Sequence, residues 1–335
     1  MRYLIGFFSL LLMVGCAAKK ESDDLKQQTV PEPDYTLSSD QTHSSWSSSI
    51  EPVLTVSSGA VIEVFTQEAS AGQLNANSTA EDLKNLSFDP IHPLTGPVFV
   101  KNAAPGDVLK VTLHEIELGD WGWIAIMPGF GFLLDEFGET TRLKTFKFSD
   151  DKEAVAFNDK ISIPLKPFPG VMGVAPATDS LLSTIPPRAN GGNMDDPHLV
   201  EGTTAYFPVM VEGGLFSIGD THAVQGMGEV SGTAIEAPMR IIYEIELIKG
   251  GRSIPEPEYE TEDTYAVTAF GKTIDEAAKK ANRYMIDYLE EEHGLGREEA
   301  YMLSSAAGDL RIAEVVDEPH MLVSMHISKE VLGME

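Results

Sequence analysis

Only one stretch of this chain, residues 273–294, carries an apolar period of helical length; elsewhere short β-branched runs are cut off by glycine or proline. Thr273-Ile274-Asp275-Glu276 has the form of a capping box. After it Ala277, Ala278, Ala281, Tyr284, Met285, Tyr288 and Leu289 recur at helical spacing until Gly294. That stripe predicts a core face, and residues 297–307 predict a second, shorter helix. Against it stand 29 glycines and 20 prolines, which punctuate the remainder into strands and shaped loops. The expected fold class is mainly β with an α/β segment at the C-terminus.

Val53-Leu54-Thr55-Val56 and Ala60-Val61-Ile62-Glu63-Val64 flank Ser57-Ser58-Gly59, the pattern of two strands around a turn. Pro105-Gly106-Asp107 introduces a run similar to the one that follows Ser58-Gly59, so this turn-then-strand pattern reads as a repeated β unit. Residues 311–316 and 321–327 read as closing strands. The segment from Trp121 to Asp196 is rich in glycine, proline and aromatics, a composition suited to pocket-building loops on a β scaffold. No Gly-x-x-x-x-Gly-Lys occurs and Gly129-Phe130-Gly131 lacks a third glycine, which argues against nucleotide binding.

At the N-terminus Arg2 precedes an apolar run that ends at Gly15-Cys16, the layout of a lipoprotein signal peptide. The run is too short to span a bilayer of about 30 Å. Cys16 is the only cysteine, so no intrachain disulfide forms and lipidation is its expected use. The expected division is a signal peptide over 1–15, a lipidated Cys16 with a charged flexible tether over 16–38, and one domain over 39–335. The expected location is the cell envelope, facing the periplasm; in a Gram-negative cell the absence of Asp after Cys16 points to the outer membrane. The net charge of −28 opposes binding to nucleic acid or anionic lipid surfaces, which leaves the lipid anchor as the only expected membrane contact.

The chemistry concentrates in Gly219-Asp220-Thr221-His222-Ala223-Val224-Gln225-Gly226-Met227-Gly228-Glu229. The apolar run Leu215-Phe216-Ser217-Ile218 leads into it. Asp220 and His222 therefore lie at a strand end, where side chains two apart face the same way. Gly226 and Gly228 permit a reversal, and a return strand running from Glu229 into residues 241–247 would bring Glu229 back towards His222.

This stretch, read with Ile185-Pro186-Pro187-Arg188-Ala189-Asn190-Gly191-Gly192-Asn193-Met194-Asp195, resembles the acetamidase/formamidase family of amide hydrolases. The similarity runs from about Thr42 to the C-terminus. It implies a β-sandwich-like fold, a small neutral amide such as acetamide or formamide as substrate, and a homo-oligomer. His43-Ser44-Ser45-Trp46 resembles the family's His-x-x-Trp, which implies that His43 lines the pocket, and Glu136 falls in an Asp-Glu-Phe segment that the family shares. Two departures stand out: Met227 where relatives usually carry Asp, and His92 where they commonly carry Asn.

An amide carbonyl is a poor electrophile and neutral water a poor nucleophile, so both need activation. A divalent metal, zinc by expectation, can lower the pKa of water from 15.7 to about 7. Such sites commonly use three His/Asp/Glu ligands, and Asp195, Asp220 and His222 would fill those places. Glu229 is assigned to shuttle the proton to the departing nitrogen. Asn190 and Gln225 either hydrogen-bond the amide or hold their turns. His92, His114, His198, His293, His320 and His326 read as structural or exposed. A Cys nucleophile is excluded, and no Gly-x-Ser-x-Gly elbow or Ser/Lys pattern is present. The competing class is an inactive ligand-binding envelope lipoprotein on the same fold.

Overall fold

The computed structural model describes residues 30–334; the expected signal peptide and Cys16 lie outside the described residues. β-Branched runs that are apolar on both faces belong inside a stack of layers, and two nine-stranded sheets supply it. The first sheet runs, in spatial order, Tyr35–Leu37, Ala60–Phe65, Met239–Ile248, Val108–Leu118, Thr204–Pro208, Glu258–Glu260, Thr264–Gly271, Met321–Ser328 and Gly308–Glu314. The second runs Gly191–Asn193, Phe168–Gly173, Phe216–Val224, Ile235–Glu236, Trp121–Ile126 and Arg142–Lys147. Leu94–Val100 also pairs with Phe216–Val224 and brings Thr42–His43 and Leu54–Val56 with it. The mainly β expectation holds.

One core lies between the sheets. Phe216 of the second sheet packs on Phe207 and Tyr243 of the first, with ring centroids 5.5 and 5.4 Å apart. Burying each such ring contributes roughly 1.5–3 kcal/mol. A separate core forms where the helix Ile274–His293 covers the outer face of the first sheet, with Tyr288 stacked on Tyr265 at 3.9 Å. Thr273 caps the helix by accepting from the Glu276 N–H, and Gly294 ends it in the left-handed region at φ 66°. The Glu276 carboxylate accepts from Lys272 N, one residue before the position a capping box requires. The second helix spans Arg297–Ala307.

The two strands expected around Ser57-Ser58-Gly59 form, as Leu54–Val56 and Ala60–Phe65, but not as a pair. Leu54–Val56 pairs in parallel with Leu94–Val100, whereas Ala60–Phe65 joins the first sheet, so the turn carries the chain from one layer to the other. Two expectations are corrected. The tether does not extend to residue 38, because Tyr35–Leu37 pairs with Ala60–Phe65 and buries Leu37. The return strand after Glu229 is Ile235–Glu236, which pairs with Phe216–Val224 before the chain crosses to the first sheet. The two members of the suggested repeat, Ala60–Phe65 and Val108–Leu118, flank Met239–Ile248 on either side.

Candidate metal centre

Phe216–Val224 is buried along nearly its whole length because strands lie on both edges. Gly219 is required there: a Cβ would stand 2.4 Å from the Pro93 carbonyl oxygen. Asp220 follows at φ 47°, and Asp195, Glu229 and His92 also have positive φ, at 43°, 46° and 49°. Non-glycine residues held in that region cost about 1–3 kcal/mol each, and they gather where function outweighs the cost. Here three of them, Asp195, Asp220 and Glu229, stand round one imidazole, and the fourth, His92, faces Asp220.

That imidazole is His222, 1% exposed. Its Nε2 lies 3.2 Å from Glu236 Oε2 and 3.6 Å from Asp220 Oδ2; its Nδ1 lies 3.6 Å from Asp195 Oδ1. Two groups of three could each hold an ion: Asp220, His222 and Glu236, and Asp195, His222 and Glu229. Gln225 decides between the two faces of the ring. Its Nε2 donates to the Asp195 carbonyl at 2.7 Å, so its Oε1 accepts from His222 Nδ1 at 2.9 Å. Nδ1 therefore carries a proton, and the lone pair available to a cation is on Nε2, towards Asp220 and Glu236.

The cluster is short of positive charge. Asp195, Asp220, Glu229, Glu236, Glu314 and Asp317 are all buried, and among the described residues His222 and His92 are the cationic groups that stand against them. Both oxygens of Asp195, Oδ1 of Asp220 and Oε2 of Glu236 are buried and make no hydrogen bond among the described residues. Unpaired buried carboxylates are costly unless neutralised. Burial pushes Glu236 up to about 7 and drives Glu229 well above the ordinary carboxylate range, with Asp195 adding to the second shift. Burial opposes charge on His222, but Glu236 and Asp220 outweigh it and hold the imidazole well above its usual pKa. In the absence of a cation, the imidazolium is the main counter-charge. A divalent cation suits this donor set and would displace the Nε2 proton.

A glycine leaves the space open. Gly170, flanked by pairs that set it opposite Asp220, would with a Cβ stand 2.4 Å from Asp195 Oδ1 and 2.6 Å from His222 Cε1. In front of the carboxylates lies a cavity of about 40 Å³. His92, Asn193, Asp220, Glu229, Glu236 and Asp317 form its polar wall. Glu229 arrives there on the Gly226–Gly228 turn, which is pinned by Gly228 N donating to the Ala313 carbonyl at 2.8 Å.

Of the residues expected at the site, Asp195, Asp220, His222 and Glu229 are brought together. His43 is not on the cavity wall: its Nδ1 donates to the Ser45 carbonyl and its Nε2 accepts from the Ser217 hydroxyl, and burial pushes its pKa down to about 4. Asn190 is likewise away from the wall and donates to the Val174 carbonyl. Gln225 spends its amide on His222 and Asp195 and so positions them. Glu136 is exposed on the short helix Leu134–Phe137, and Met227 is exposed away from the cavity wall. Gln225→Ala is expected to weaken metal binding about 10–100-fold with the fold retained, measured by competition with a chromophoric chelator and by circular dichroism.

Two participants escaped the sequence reading. Glu236 pairs directly opposite His222, and its signal was a lone acid within Ala234-Ile235-Glu236-Ala237. His92, read as structural or exposed, lines the cavity with its Nδ1 buried, unpartnered and 3.7 Å from Asp220 Oδ2. A further group, Asp196, His198 and His326, is already satisfied: Tyr259 donates to Asp196, His198 Nδ1 lies 2.7 Å from it, and Arg311 bonds His198 Nε2. Burial opposes ionisation of Asp196, but His198 and Tyr259 outweigh it and hold its pKa at about 2. This network therefore contributes stability above the ordinary Asp pKa that is lost as pH falls through about 2.

The profile of the Acetamidase/Formamidase family matches residues 32–183 and 179–334. A formamidase of Methylophilus methylotrophus is 25% identical, over 88% of this chain and 90% of its own. An acetamidase of Mycolicibacterium smegmatis is 28% identical over 68% of each chain. The crystal structure of a predicted acetamidase/formamidase from Thermoanaerobacter tengcongensis superposes with a TM-score of 0.84 at 33% identity, covering 90% of this chain and 98% of that one.

Proposed function

The chain belongs to the acetamidase/formamidase family, and on that premise we propose that it hydrolyses a small neutral amide to ammonia and a carboxylate, with a divalent cation held by Asp220, His222 and Glu236. It is a hydrolase acting on carbon–nitrogen bonds other than peptide bonds. The observation that carries the metal reading is the set of donor-less carboxylate oxygens gathered round His222 beside a cavity. Asp195 stands on the other side of the imidazole, against the protonated Nδ1, and is left out of that ligand set.

When bound, the cation supplies Lewis acidity that makes hydroxide available near neutral pH. The residues of the chain supply the rest. Asn193 is held by its Nδ2 donating to Asp317 Oδ2 at 2.7 Å, which leaves its buried Oδ1 free to accept from the substrate N–H. Glu229, on the same wall, takes the proton released as water adds to the carbonyl carbon. It then delivers that proton to the nitrogen as the C–N bond breaks. Gln225 keeps His222 in the required tautomer.

Ammonia release from a panel of amides, before and after exhaustive chelation, tests this reading. Turnover that is lost on chelation and restored by zinc supports it. Tight amide binding with no turnover would point to a ligand-binding protein instead. Glu229→Gln is expected to keep its metal and lose about 10²–10⁴-fold in kcat; full activity in that variant removes the shuttle assignment.

Among the described residues no helix is long and apolar enough to cross a membrane. The leader ending at Cys16 supports a lipid-anchored protein of the cell envelope, and mass spectrometry for a diacylglyceryl group on Cys16 checks this.

A further inference from the structure

Besides the carboxylate oxygens of Asp220 and Glu236, the cavity wall carries two buried polar atoms that make no hydrogen bond among the described residues: Nδ1 of His92 and Oδ1 of Asn193. Their characters are opposite. Asn193 Oδ1 is an acceptor, because Nδ2 of the same amide donates to Asp317. His92 Nδ1 lies 3.7 Å from Asp220 Oδ2, too far for a hydrogen bond yet near enough that a lone pair on it would face negative charge. The proton therefore sits on Nδ1 whether the ring is neutral or charged, and this N–H is a donor without an acceptor. A buried donor left unpaired is costly. The fold nevertheless holds it still: His92 N donates to the Ala69 carbonyl at 2.9 Å, and Leu94, two residues on, pairs with Gly219 beside Asp220.

We propose that His92 is a catalytic residue, whose Nδ1–H binds the carbonyl oxygen of the amide while Asn193 Oδ1 accepts from the amide nitrogen. This rests on the amide-hydrolase reading above. A carboxamide carries an acceptor oxygen and N–H donors on one carbon, which complements one free donor and one free acceptor on the wall of a cavity of about 40 Å³. As water adds to the carbonyl carbon and Glu229 takes its proton, the C=O π pair moves onto oxygen. The hydrogen bond from Nδ1 strengthens there and its proton stays on the ring. When the C–N bond breaks, that pair re-forms the carbonyl and the nitrogen leaves with the proton held by Glu229. A donor already fixed in place needs no reorganisation as the charge develops, so its benefit falls on kcat.

The test is steady-state hydrolysis of formamide and acetamide by the metal-loaded chain, His92→Gly and His92→Asn, with bound metal measured by chelator competition. Glycine adopts the φ of 49° found at position 92 without strain. Asparagine carries Nδ2 as many bonds from Cα as the imidazole carries Nδ1. His92→Gly is expected to keep its metal and lose about 10²–10³-fold in kcat, and His92→Asn to recover most of that loss. A His92→Gly protein with wild-type kcat, or one that loses its metal, overturns the assignment, as does a His92→Asn protein as slow as His92→Gly. A second measurement does not depend on turnover or on the variants folding: the Nδ1–H resonance of His92 in the ¹⁵N-histidine-labelled Glu229→Gln chain, followed while acetamide is added. A downfield shift at saturation supports the proposal, and an unmoved resonance overturns it. If the wild type hydrolyses no amide, the hydrolase reading fails separately, and this resonance still decides whether His92 holds the carbonyl.

Discussion

Replacing His222 by alanine is expected to remove bound metal and amide hydrolysis together. The imidazole is the one nitrogen donor in both ligand groups, and its Nδ1 is fixed by Gln225 at 2.9 Å. Its loss takes away the cation's anchor and the imidazole that, among the described residues, faces both Asp195 and Glu236. Activity should fall at least about 10³-fold, equivalent to several kcal/mol of transition-state stabilisation. Because uncompensated buried charge costs about 3–5 kcal/mol, part of the effect falls on folding. Asp220→Asn separates the two. It preserves shape and removes a negative charge from the cluster, so it should fold with a melting temperature near that of the wild type while losing metal and turnover. A His222→Ala or Asp220→Asn protein that keeps both metal and activity contradicts the assignment.

The second large effect is expected from a single methyl group. Gly170→Ala places a Cβ 2.4 Å from Asp195 Oδ1, 2.6 Å from His222 Cε1 and 2.8 Å from the Asp220 carbonyl oxygen. All three lie closer than real Cβ contacts allow. The carbonyl belongs to a paired strand and cannot retreat, so Asp195 and His222 must rotate away from their positions. The expected outcome is metal affinity reduced by about 100-fold or more, by analogy with displaced ligand supports, with a destabilisation of about 1–3 kcal/mol from overpacking. Chelator competition and urea unfolding measure the two. Wild-type affinity in Gly170→Ala would show that the ion does not depend on this arrangement.

Much of the fold was legible because its signals are local. The helix at 274–293 announced itself through Thr273, an apolar period and Gly294, and the Asp220-Thr221-His222 strand end through its glycines. What stayed hidden depends on contacts distant in sequence. Nothing in Leu54-Thr55-Val56 says that it pairs in parallel with Leu94–Val100 rather than with the next run. Similarly, Ser217 claims His43 across 174 positions, which removes that histidine from the pocket. Spacing placed Asp220 and His222 together, but the arrival of Glu236 opposite His222 required the register between two strands. His92 shows the same limit: with no paired spacing of its own, it reaches Asp220 only through the fold.

Anomalous X-ray scattering at the zinc edge, from crystals of the chain purified without chelator, tests the central claim most directly. One strong peak per chain is expected among Asp220, His222 and Glu236, absent in His222→Ala. Fully active crystals with no peak there, or with the peak at Asp196, His198 and His326, would contradict a metal centre built on His222.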